Sequence, residues 1–178
     1  GDTMLMLVLL AAGAQSPMAE FPNSIGASCE SAYQAERLRR GKPTTSQQST
    51  SNGTADFVGE HGGKAAFIHY ECRNSLISVH GITVSFSEEA PARSFLQTER
   101  TALDKRFGTS RSIYQCLSSS RKRRLETTRP DAVTISKNTY SWPSNGGPQI
   151  SVSIDFDVED LRWNVTLMST RGSSLCQR

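Results

Sequence analysis

The chain lacks closely spaced cysteines, is poor in aromatic residues, carries little net charge and has no apolar run long enough to cross a bilayer as a helix. Each absence excludes something. Its four cysteines, Cys29, Cys72, Cys116 and Cys176, are scattered over 178 residues with no Cys-x-x-Cys pair. That argues against a zinc knuckle and a thioredoxin-type dithiol, which both need close pairs. An even count at long spacing instead predicts two disulfides and an oxidising, extracytoplasmic compartment. The pairing expected from position is Cys72–Cys116 and Cys29–Cys176. Aromatic residues make up 7% of the chain and hydrophobic residues 36%, so a modest core and much irregular polar chain are expected.

A net charge of +3 does not by itself point to nucleic acid, and the main basic run lacks interleaved aromatic residues for base stacking. No nucleic-acid partner is expected. Glu60-His61-Gly62-Gly63 has a faint likeness to an oxyanion loop, but no Gly-x-Ser-x-Gly elbow follows it. Asp155, Asp157, Glu159 and Asp160 lack the glycine and the distal glutamate of a calcium loop. His69 and His80 fall on adjacent predicted strands and are expected as a polar pair on a wet face, not as ligands. No catalytic residue, cofactor or metal is therefore assigned.

What is present is periodicity. Ile150, Val152, Ile154, Phe156 and Val158 alternate with Ser151, Ser153, Asp155, Asp157 and Glu159, and the alternation resumes with Trp163, Val165 and Leu167. A period of two places one set on one face of a strand. This predicts a hairpin with an apolar face and a wet face, part of an antiparallel sheet covered on one side. Ala92, Phe95, Leu96, Leu103 and Phe107 recur at helical spacing after Pro91 and before Gly108, and supply the cover. Phe95, Leu103, Ile154, Phe156, Trp163 and Val165 are expected to be buried together. Phe57–Phe86 reads as an earlier hairpin whose return strand, apolar on both faces, is central, with a bulge or close approach at Gly81. Arg111–Leu117 and Val133–Ile135 read as short strands, and Thr139–Trp142 as a better one that the turn at Pro143–Pro148 joins to the C-terminal hairpin. The expected class is α+β: β-β-α-β and then a C-terminal β-meander, with an N-terminal helical arm.

Three regions follow. Residues 1–42 hold an apolar segment, Met4–Ala14, and a helix within Ser24–Arg40. Residues 43–56 form a Ser/Thr/Gln-rich linker. Residues 57–178 form the core domain. Met4–Ala14 reads either as a secretory leader or as a docking arm that supports a homo-oligomer; spanning a bilayer takes about 20 apolar residues.

Charge is uneven along the chain. Between Arg93 and Arg129 there are ten basic residues and three acidic ones, among them the run Arg121-Lys122-Arg123-Arg124, whereas the last hairpin is acidic at Asp155 and Asp157. Arg121, Lys122, Arg123, Arg124, Asp155 and Asp157 are the candidate partner-binding residues. The expectation is a non-enzymatic binding protein of inhibitor, immunity or envelope-assembly type that acts on a protein partner. The alternatives are a membrane-associated structural or oligomerising envelope protein, with a membrane surface as a candidate partner, and a small hydrolase using His61, His69 or His80.

Overall fold

The computed structural model describes Phe21 and residues 24–44, 50–142, 147–172 and 176. The segment Met4–Ala14 and most of the turn before the last hairpin lie outside the described residues. In chain order the elements are α1 (Cys29–Leu38), β1 (Lys42–Pro43), β2 (Gly53–His61), β3 (Lys64–Arg73), β4 (Leu76–Phe86) and α2 (Glu89–Phe107). They continue with β5 (Arg111–Ser112), α3 (Ile113–Cys116), α4 (Ser119–Thr128), α5 (Pro130–Lys137), β6 (Thr139–Ser141), β7 (Gln149–Asp157) and β8 (Arg162–Thr170). The eight strands form one antiparallel sheet in the order β1-β2-β3-β4-β8-β7-β6-β5. The class is α+β.

The alternation of β7 and β8 is realised as register. Val152 opposes Leu167 and Ile154 opposes Val165, and all four are buried. α2 lies across them, because Ala92, Phe95, Leu96 and Leu103 fall on one helical face and share a core with Ile82, Val84, Ile154 and Val165. Gly108 at φ +87° ends the helix, a conformation that favours glycine. A second cluster on the same sheet face joins Cys29 and Tyr33 of α1 to Ala55, Phe57, Ile68, Tyr70 and Ile77. The N-terminal helix thus shares a core with β2, β3 and β4. β2 begins at Gly53 and pairs with β1, so ladder residues flank the polar segment 44–52 on both sides.

Several expectations are corrected. Phe156 is 43% exposed, because the apolar face of the hairpin is covered only as far as Ile154 and Val165; beyond that Phe156 rests on Trp163, which is only partly buried. The strand expected at Arg111–Leu117 stops after two residues, where Ser112 and Gln115 form a capping box that starts α3. Val133 and Ile135 are helical: Pro130 occupies the first turn of α5, where its missing N–H costs nothing. Gly81 sits in regular register between His69 and Met168, and the bulge falls where Glu71 opposes Val79 and Cys72 opposes Ile77. Ser78 is the extra residue, and its hydroxyl donates to the Glu71 carbonyl at 3.2 Å.

The four cysteines are oxidised, but the pairs are Cys29–Cys72 and Cys116–Cys176. The expected Cys72–Cys116 bridge is excluded by topology. Cys72 lies on β3, and Cys116 follows β5 at the far edge, five strand positions away or roughly 24 Å. A disulfide needs Cα atoms within about 7 Å. The start of α1 is held instead at the β3–β4 turn, where the Cys29 amide donates to the Ser75 carbonyl at 3.0 Å. The Tyr33 hydroxyl donates to Cys72 Sγ at 2.8 Å beside that bridge. Two disulfides fit an oxidising environment outside the cytoplasm. Among the described residues no helix is long and apolar enough to cross a membrane.

Candidate interaction surface

α1 and α2 pack on one face of the sheet, in the two clusters described above. The other is built from the alternate residues of the same strands. Register places Thr139, Ser153, Thr166, Thr83, Phe67 and Val58 in one row across it. The next row runs Ser151, Met168, Gly81, His69 and Asp56. Hydroxyls pair across the strands: Thr83 and Thr166 approach at 3.1 Å, and Ser85 donates to Asn164 at 2.7 Å. Within this polar field Val58 is 48% exposed, Phe67 43% and Met168 38%. Gly81, without a side chain, leaves a notch between His69 and Met168. A Cβ there would meet His69 Cβ at 3.7 Å, ordinary contact, so the space is open and not forced by packing.

His69 stands on this face between two carboxylates, with Nδ1 2.6 Å from Asp56 and Nε2 3.8 Å from Glu71. It does not meet His80. The register partner of His80 is Tyr70, so the two histidines point to opposite faces, and the expected wet-face pair is corrected. His80 is buried, stacked on Tyr70, and its Nδ1 contacts the Ser24 hydroxyl at 2.8 Å. Burial, and then the charges of Arg39, His61 and His69, lower its pKa to about 3. A serine beside an imidazole has the composition of a nucleophile and its base, yet so weak a base sealed in the core is poorly matched to proton transfer near neutral pH. His61 is equally enclosed, with Nε2 3.3 Å from the buried carboxylate of Glu99. Glu36, also buried, accepts hydrogen bonds from Tyr70 and Arg39, each at 2.7 Å. Among the described residues no three His, Cys, Asp or Glu side chains are arranged to hold a metal ion.

The candidate charged residues fall on two separate elements. Arg121, Lys122, Arg123 and Arg124 are on helix α4, which Ser118 caps by accepting from the Arg121 amide. Lys122 and Lys137 both lie over the ring of Tyr114, whose hydroxyl bonds to Glu126. Arg121 and Arg124 line a groove of about 300 Å³ together with Leu117, Leu125, Thr128 and Arg129. Asp155 and Asp157 are on the open face at the end of β7. Partial burial and then its neighbour Asp157 raise the pKa of Asp155. Asp157 accepts from the amides of Glu159 and Asp160 at 2.9 and 3.3 Å, so it also organises the hairpin turn. The residues that sequence reasoning missed are Val58, Phe67 and Met168. Their signal was the off-beat of the alternation, since Phe67 sits between the inward-facing Ala66 and Ile68.

Comparison of the chain with protein-family models, with curated proteins and with solved structures returned no match.

Proposed function

We propose that the chain is a non-enzymatic binding protein of an extracytoplasmic compartment, which holds a protein partner on the open face of its sheet. The observation that carries this reading is the set Val58, Phe67 and Met168, exposed among cross-paired hydroxyls on the side of the sheet opposite α1 and α2. Apolar side chains in a polar surround are the usual makeup of a protein contact, with a dry centre and a wet rim. Asp56, Glu71, Asp155 and Asp157 share the face with Lys42 and Arg162, so it has no basic excess to draw phosphate polymers or anionic lipid, which favours protein over either. The enclosed positions of His61 and His80 support binding without turnover. Inhibition of a secreted enzyme, immunity to a toxin and envelope assembly are roles this mode of action serves.

The test is recovery of the partner from the native host with tagged variants. Phe67→Asp and Met168→Asp change partly exposed positions, circular dichroism checks that each folds, and recovery is expected to fall at least tenfold. Leu38→Asp, at an exposed position on α1, serves as the control and leaves recovery unchanged. Equal recovery by all three contradicts the reading.

A further inference from the structure

The tip of the β7–β8 hairpin is apolar where solvent-facing turns are normally polar. Val158 is 73% exposed, Leu161 68% and Phe156 43%. Leu161 is held at φ +52°, which is uncommon for a residue other than Gly, Asn or Asp. Glu159 and Asp160 lie between Val158 and Leu161 in the turn, and Asp155 and Asp157 alternate with Phe156 and Val158 on the other face of the strand, against the single cation Arg162. The outer edge of β7 is also free of strand pairing here, because β6 reaches only Ser151–Ser153. Exposed apolar side chains beside acids are complementary to an apolar recess rimmed by cations.

The same chain carries such a recess. The α4 groove has Leu117 and Leu125 in its lining and Arg121, Arg124 and Arg129 around them. Its volume, about 300 Å³, lies at the lower end of ligand pockets and suits one or two aliphatic side chains. Arg129 has a long contact to Asp131 at 3.6 Å, and among the described residues no acid pairs with Arg121 or Arg124. Guanidinium groups match carboxylates in a two-pronged geometry, so the rim suits the acids of the tip. Within one molecule, among the described residues, no ion pair joins the two surfaces.

We infer that the β7–β8 tip of one molecule seats in the α4 groove of a second copy, giving head-to-tail association. Val158 and Leu161 enter the groove, and Arg121 and Arg124 pair with Glu159 and Asp160, which lie between them in the turn. The contact is heterologous, so each molecule keeps a free tip or a free groove until a ring closes, and association passes beyond the dimer. It leaves the open face of the sheet free for the partner proposed above and stands independently of that reading.

Sedimentation velocity of the purified full chain over a concentration series, at low and at high salt, tests this. Growth beyond the dimer at low salt is expected, weakened by salt because exposed charges are screened. The tip variant Val158→Ser/Leu161→Asn keeps the turn, since asparagine tolerates positive φ. The groove variant is Arg121→Glu/Arg124→Glu. Each alone is expected to weaken self-association roughly tenfold or more. Mixed together, the two variants are expected to form a 1:1 dimer and nothing larger, because the mixture retains one intact tip and one intact groove. Circular dichroism of each variant checks the fold. A wild-type chain that stays monomeric throughout overturns the inference. So does association that persists in either variant alone, or a mixture of folded variants that stays monomeric.

Discussion

The imidazole of His80 lies against the ring of its register partner Tyr70, with centroids 4.5 Å apart and planes 22° from parallel. Phe21 meets the imidazole edge-on, and Ser24 contacts Nδ1. The ring is held neutral in the folded chain.

Acid stability follows from that. The folded pKa of His80 is about 3 against an ordinary value of 6.5. Between those values the unfolded chain binds more protons than the folded one. Stability from this group is therefore complete above 6.5 and falls as pH is lowered through the window, by up to about 1.4 kcal/mol per pH unit. Urea melts of wild type and His80→Phe across this range check it. The variant is expected to lose about one proton from the slope; an unchanged slope contradicts the burial argument.

The disulfides close loops with sequence separations of 43 and 60 residues. In the chain-entropy account each stabilises the fold by about 4 kcal/mol. Non-reducing peptide mapping is expected to link Cys29 to Cys72 and Cys116 to Cys176. Replacing either pair with serine lowers the denaturation midpoint substantially, and recovery of a peptide joining Cys72 to Cys116 contradicts the topology.

Depth in the hairpin is tested by a pair of truncations. Ile154→Ala removes a buried side chain and is expected to cost about 2–5 kcal/mol. Phe156→Ala acts on a ring that is 43% exposed and is expected to cost less than half as much. Equal costs in urea melts mean that the helical cover extends further than described.

His61 and Glu99 join the β2–β3 turn to α2 through two buried groups 3.3 Å apart. Removing one partner leaves the other polar group buried without it, a loss of about 1–3 kcal/mol. His61→Leu and Glu99→Leu are expected to be individually severe, and the double variant to cost clearly less than their sum. Additive costs in a double-mutant cycle mean that the two groups do not interact.

The parts of this fold that were legible in sequence are those where one residue period runs without interruption. Val152, Ile154, Val165 and Leu167 had to share a face, and Ala92, Phe95, Leu96 and Leu103 had to cover it. The region from Arg111 to Lys137 was misread because its apolar residues are too few to show a period. Its helices rest on end signals instead: the Ser112–Gln115 box, the Ser118 cap and Pro130. The disulfide pairing needed the order of strands across the sheet, which depends on long-range contacts that local pattern does not encode. The open face was hidden for a related reason. Thr83, Thr166 and Ser153 are unremarkable in sequence, and only register sets them in a row beside Phe67 and Val58.

The most direct test of the binding reading is site-specific photocrosslinking in the native host. A photoreactive side chain is placed in turn at Val58, Phe67 and Met168 on the open face, and at Leu38 on α1 and Gln97 on α2 as controls. One discrete crosslinked protein is expected from the three open-face positions and none from the two helical ones. Crosslinks confined to Leu38 or Gln97, with Val58, Phe67 and Met168 silent, contradict the reading.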